Sequence, residues 1–224
     1  MTQRDLNAVL GILGILVLGI FLVWFPSVVL QVPMPHDVVA NTVVNTMWAA
    51  LATVVLPYLW AVKRLGMGLG ELGLTTERLG RNILIGCGLY SIALVVFLSH
   101  PDMGMMANNI VGQESFGRAM ILMLCMGITA AGTDMLTRGF VLLTLTKYSH
   151  VAFAIIMQNL VWYTGHLQEI DMLRSSLGTV YAILLTLILG VLGDIVVLRT
   201  RSVVGLAMAH FLLNVVLTFY IRHL

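Results

Sequence analysis

Stretches of roughly 20 predominantly apolar residues recur about seven times along this chain, and each is long enough to cross about 30 Å of hydrocarbon as an α-helix. They run approximately over 8–30, 39–62, 82–99, 118–147, 150–168, 177–198 and 203–221. Little sequence remains between them. The expected fold is therefore all-α: a polytopic membrane helical bundle of about seven transmembrane helices, with 1–224 forming a single transmembrane domain. Composition agrees, since 59% of residues are hydrophobic and 10% charged, against roughly a quarter charged in ordinary soluble domains.

A formal charge of +2, carried by scattered basic residues, gives no footprint for nucleic acid; the surrounding partner is the lipid bilayer. The basic residues set topology. Arg4, Lys63, Arg64, Arg78, Arg81, Lys147, Arg199 and Arg201 fall on the N-terminal side of a seven-span arrangement, and Arg118, Arg174 and Arg222 fall opposite. The expected N-terminus is cytoplasmic. The apolar core of the first span exceeds the 7–15 residues of a signal-peptide core and lacks a small-x-small site, so it is expected to stay as a helix. Cys87 and Cys125 lie inside spans without CxxC spacing, which supports neither a disulfide nor a thiolate metal site.

Two longer loops stand out. The glycine-rich segment 63–82 reads as a surface linker whose "TTERLGRN" opens an amphipathic turn before the third span. Segment 99–118 is rich in methionine and reads as a lid or as packing at helix ends. The fourth span is long: about 30 residues would reach about 45 Å, which predicts either strong tilt or a break near Gly132 and Gly139.

Ionisable groups at bilayer depth cost about 2.5–3.5 kcal/mol each on insertion scales, so each needs a reason. Those here are Asp134 and Arg138, His166, Asp194, and His210 with the neutral Asn214. Asp134 and Arg138, Trp162 and His166, and His210 and Asn214 are each i and i+4, so each pair shares one helix face. Three helices thus present one polar face each, and pointing all three at a shared hydrated cavity lets the groups satisfy one another. Plainer roles exist for the members taken singly. Asp134 with Arg138 makes a structural ion pair, a lone histidine makes an interhelical hydrogen bond, and Asn41 and Asn45 do the same. Asp194, close to Arg199, reads as structural.

In order, "TDMLTRGF", "WYTGH" and "HFLLN" look like the three motifs of the CPBP family (CAAX proteases and bacteriocin-processing enzymes, also called Abi): EExxxR, FxxxH, and HxxxN or HxxxD. The likeness covers roughly residues 63–218, including "ELGLTTERLGRNILIG" and "VLRTRSVVGLAMAHFLLN". It implies an intramembrane endopeptidase that hydrolyses peptide bonds through an activated water, without a covalent intermediate or a cofactor. Carried over, His166 is the water-activating histidine, His210 and Asn214 are the oxyanion donors, Arg138 closes the first motif, and Trp162 stands for the phenylalanine. The implied substrate is a peptide or a lipidated protein.

The first motif departs from the family, with Thr133 and Asp134 where it has two glutamates. Threonine takes no proton from water near neutral pH, and its hydroxyl lacks an evident activating base. Two functions follow. In one, Asp134, about 100° around the helix from position 133, acts with His166 on water. In the other, the chain is a catalytically silent relative that binds or scaffolds a partner membrane protein. A lesser alternative is zinc held by His166, His210 and Asp134, although HExxH is missing.

Overall fold

The computed structural model describes residues 2–24, 37–99 and 114–222. Helix α1 spans Gln3–Trp24. Helix α2 (Val38–Ala50) continues through a π-helical turn, Leu51–Val55, into α3 (Leu56–Leu65). Helix α4 covers Leu79–Leu98. Helix α5 (Phe116–Asp134) passes through a π-helical stretch, Met135–Leu142, into α6 (Leu143–Tyr148). Helices α7 (Val151–Gly165), α8 (Leu167–Leu177), α9 (Thr179–Thr200) and α10 (Val204–Arg222) complete the chain. No strand occurs among the described residues.

Five helical segments are long and apolar enough to cross a membrane, Gln3–Val23, Val38–Leu65, Leu79–Leu98, Phe116–Tyr148 and Thr179–Thr200, and two shorter apolar helices, Val151–Gly165 and Val204–Leu217, join them. Together they are the polytopic bundle expected from the apolar runs. Helix α8 is the exception: it is amphipathic and lies between the last two apolar pairs of the chain.

The fourth span does not break at Gly132 or Gly139. It widens instead, so that Leu143 N–H reaches back to Arg138 O, an i→i+5 bond. The cause is a side chain from the second span. Tyr58, buried on α3, donates its hydroxyl to Met135 O at 3.1 Å, and a Cβ on Gly139 would overlap that hydroxyl. An inserted group of this kind opens the helical ladder. The second span widens for a different reason: Pro57 has no N–H to donate, and just upstream Leu56 N–H bonds Leu51 O.

Helix α10 packs against α4 and α5, α2 against α5, α7 against the π-helical stretch and α9, and α1 against α3 and α6. The α4–α10 contact is made by small residues. A Cβ on Gly86 would lie 2.7 Å from the Ala209 Cβ, and one on Gly205 would lie 2.6 Å from Asn82 Cβ. Asn82 with Gly86 and Gly205 with Ala209 are each one turn apart, which lets the two backbones approach closely. Gly205→Leu is expected to destabilise the bundle by about 1–3 kcal/mol, the usual effect of overpacking; denaturant unfolding in detergent micelles measures it.

The 63–82 segment is more than a surface linker. Met67 is 2% and Leu72 0% exposed. Gly73 O accepts from Val203 N at 2.9 Å, and Ser202 Oγ donates to Thr75 O at 3.0 Å. Gly73, at φ +80, sits against Leu143 and Val203, a conformation glycine adopts without strain. The loop therefore clamps the α9–α10 turn that leads to His210. The lid reading of 99–118 falls mostly on residues outside those described (100–113), but the segment's end is anchored: Arg118 pairs with Asp37 at 2.6 Å and Glu114 at 2.5 Å. Asp37 caps α2 through Ala40 N–H. That hydrogen bond and then Arg118 hold the Asp37 carboxyl below its ordinary range.

Candidate active site

Asp134 is the last α-helical residue before the π-helical stretch and is 0% exposed, as is Arg138. An ionised carboxylate accepts only, and this one is fully engaged. Oδ1 takes the Arg138 guanidinium; Oδ2 takes the Tyr90 hydroxyl at 2.8 Å and His210 Nδ1 at 3.1 Å. Charge-assisted bonds of this kind satisfy groups that would otherwise be costly in an apolar interior. Arg138 also reaches Gly190 O at 3.2 Å and the Asp194 carboxylate at 3.4 Å, and it lies over the Trp162 ring at 4.0 Å. A Cβ on Gly190 or Gly193 would enter the space of Asn159 or Arg138. Asp194 accepts in turn from Asn159 at 2.7 Å. One buried ionic cluster thus ties the fourth span to the third, fifth, sixth and seventh, with Asp194 in a structural position.

His166 follows the end of α7, with φ −115 and ψ 18. Its Nδ1 lies 2.7 Å from Trp162 O. A carbonyl can only accept, so Nδ1 carries the proton and Nε2 is left with its lone pair. His210 faces it almost in parallel, with ring centroids 5.9 Å apart and 11° between the planes. Tyr90 stacks on His210 at 4.4 Å while donating to Asp134, and Trp162 contacts His166 at 3.8 Å. Asn214 lies one turn beyond His210, with Nδ2 donating to His210 O at 3.2 Å.

Trp162, His166, His210, Asn214, Tyr90 and Glu169 all line one cavity of about 100 Å³, room for a few waters at roughly 30 Å³ each. Its remaining wall is largely aliphatic and aromatic. The structure therefore brings His166, His210, Asn214 and Trp162 together. Asp134 and Arg138 stand directly behind His210 and Trp162, with no exposed surface of their own.

Thr133 is elsewhere. Its hydroxyl donates to Thr129 O at 3.0 Å, and its side chain lines a second cavity, about 480 Å³, with Thr129, Thr137, Thr164 and Gly165. Asp134 meets His210 rather than His166: among the described residues its hydrogen-bond partners are Arg138, Tyr90 and His210. With His210 Nδ1 turned to Asp134, the zinc set of His166, His210 and Asp134 does not converge; no group of three or more His, Cys, Asp or Glu among the described residues is arranged to hold a metal ion. Cys87 and Cys125 are both free.

Sequence reasoning missed Tyr90, Asn159 and Glu169. For Tyr90 a signal existed, because a tyrosine in a transmembrane run has a hydroxyl that needs a partner. Asn159 stands seven residues before His166 in an apolar helix and invited the same question.

Residues 115–216 match the family described as type II CAAX prenyl endopeptidase Rce1-like, which lies within the CPBP/Abi family. The matched region contains all three motifs. No curated protein and no solved structure matches the chain.

Proposed function

Since residues 115–216 of this membrane protein belong to the Rce1-like branch of the CPBP family, we propose that the chain is an intramembrane endopeptidase of the CAAX-protease type that hydrolyses a peptide bond in a prenylated, membrane-associated substrate. The observation that carries this reading is the cavity: His166 from one helical segment and His210 and Asn214 from another line one space with room for a few waters. Amide hydrolysis needs an acceptor for a proton of water and donors where negative charge develops on the carbonyl oxygen. His166 Nε2, its tautomer fixed by Trp162 O, suits holding that water in place by accepting a hydrogen bond from it. For the second task Asn214 brings a side-chain amide to the same cavity, and His210, held at Nδ1 by Asp134, brings its ring. Asp134 then orients His210, Arg138 and Tyr90 position Asp134, and Trp162 positions His166.

The test uses purified protein in liposomes with a prenylated reporter peptide, its products identified by mass spectrometry. Wild type cleaves within the C-terminal tail; Asn214→Ala lowers kcat by about 10²–10³, the usual effect of removing one oxyanion donor. Absence of cleavage by wild type removes the reading.

A second reading, a catalytically silent relative that binds a membrane partner, draws on the placement of Thr133 in a separate cavity and of Asp134 behind His210. It requires that wild type bind prenylated peptide without cleaving it.

A further inference from the structure

With Thr133 facing away from the histidines and Asp134 held by three partners, the hydrolytic reading needs a carboxylate from another part of the chain. The cavity wall contains one. Glu169 lines the same cavity as His166, His210 and Asn214 and is exposed at its mouth. It stands in the first turn of α8, three residues after His166. Helix α7 ends at Gly165, and α8 restarts with Ile170 N–H on His166 O at 2.9 Å, so the chain turns at His166 and carries the first turn of α8 over the cavity.

Glu169 differs from the other acidic residues of the region in what surrounds it. Asp134 and Asp194 are wholly buried and bonded to Arg138 or Asn159, whereas among the described residues no other side chain bonds the Glu169 carboxylate. Although the side chain opens at the mouth, the protein packed around it displaces water and raises its carboxyl above the ordinary glutamate value, in the direction that strengthens a general base.

We propose that Glu169 is the carboxylate that takes the proton from the hydrolytic water in this chain, beside His166, in place of the glutamate missing at position 133; this rests on the endopeptidase reading above. A water between Glu169 and His166 gives one proton to the carboxylate as its oxygen bonds the peptide carbonyl carbon. The carbonyl oxygen takes the negative charge and is met by Asn214 and His210. When the C–N bond breaks, the proton on Glu169 passes to the departing nitrogen, the second water proton is released from the new carboxyl group, and Glu169 returns to the carboxylate. Peptide and water become a carboxylate, an amine and a proton.

The experiment compares wild type, Glu169→Gln, Glu169→Asp and Glu169→Ala as full chains in liposomes with the prenylated reporter peptide, with circular dichroism to establish the helical fold of each. Glu169→Gln is expected to lower kcat at least 100-fold with KM within threefold, and Glu169→Asp to keep a measurable part of the rate. Added formate should raise the Glu169→Ala rate at least tenfold while leaving wild type unchanged, a response that a structural role would not give. Cleavage by Glu169→Gln within threefold of wild type overturns the assignment of Glu169 while leaving the endopeptidase standing, as does a folded Glu169→Ala that is inactive and deaf to formate. A wild type that cleaves no prenylated peptide overturns both.

Discussion

Arg138→Met should cost the bundle about 3–5 kcal/mol, because it removes the one cation from a fully buried cluster and leaves two carboxylates without it. Arg138 binds Asp134, reaches Asp194 and Gly190 O, and covers Trp162. All of these polar groups are shielded by protein rather than by lipid, so the bilayer cannot relieve them. Arg138→Lys should fail almost as badly, since a point charge cannot reach two carboxylates and a carbonyl from different helices as a planar fork does. The diagnostic variant is Arg138→Met combined with Asp134→Asn and Asp194→Asn. Neutralising the orphaned acids should return a large part of the lost stability, because a buried ion pair replaced by uncharged groups is often close to neutral. Unfolding by denaturant in a fixed detergent checks all three. An Arg138→Met protein within 1 kcal/mol of wild type would mean that the cluster is not the structural centre described here.

The same cluster shows where sequence reading reaches and where it stops. The spans were legible because hydrophobic runs are strong signals: the third was expected at 82–99 and occurs at Leu79–Leu98. Of the three i, i+4 pairs expected at a shared cavity, His210–Asn214 and Trp162–His166 line one, whereas Asp134–Arg138 lies buried behind it. The rotation of residue 134 relative to 133 was also legible in principle. What periodicity could not supply was the partner on another helix. Asp134 meets Tyr90, 44 residues away, and His210, 76 residues away, and nothing local specifies either distance. The widening at Met135–Leu142 was hidden for the same reason, since its cause is Tyr58 on another span. Glu169 was overlooked because it lies just beyond an apolar run, where a charged residue ordinarily means solvent; only the turn at His166 brings it over the cavity.

His166→Ala should lower kcat by about 10²–10⁴, the range that positioned acid–base groups contribute, because the water beside Glu169 loses its second anchor, with little change in KM and no loss of helical fold. The separation of effects follows from position. His166 lies at the junction of α7 and α8, bonded to the backbone of its own helix, whereas His210 is fastened into the ionic cluster through Asp134. Removing His166 therefore leaves the buried charges paired. His210→Ala would disturb both the oxyanion site and the environment of Asp134, so it should cost stability as well as rate. Trp162→Phe supplies the control on positioning. It keeps an aromatic face for Arg138 and a backbone carbonyl for His166 Nδ1, and should cost far less than His166→Ala. If His166→Ala cleaves prenylated peptide at the wild-type rate, His166 has no part in activating the water, and its fixed tautomer serves only to hold α7 to α8.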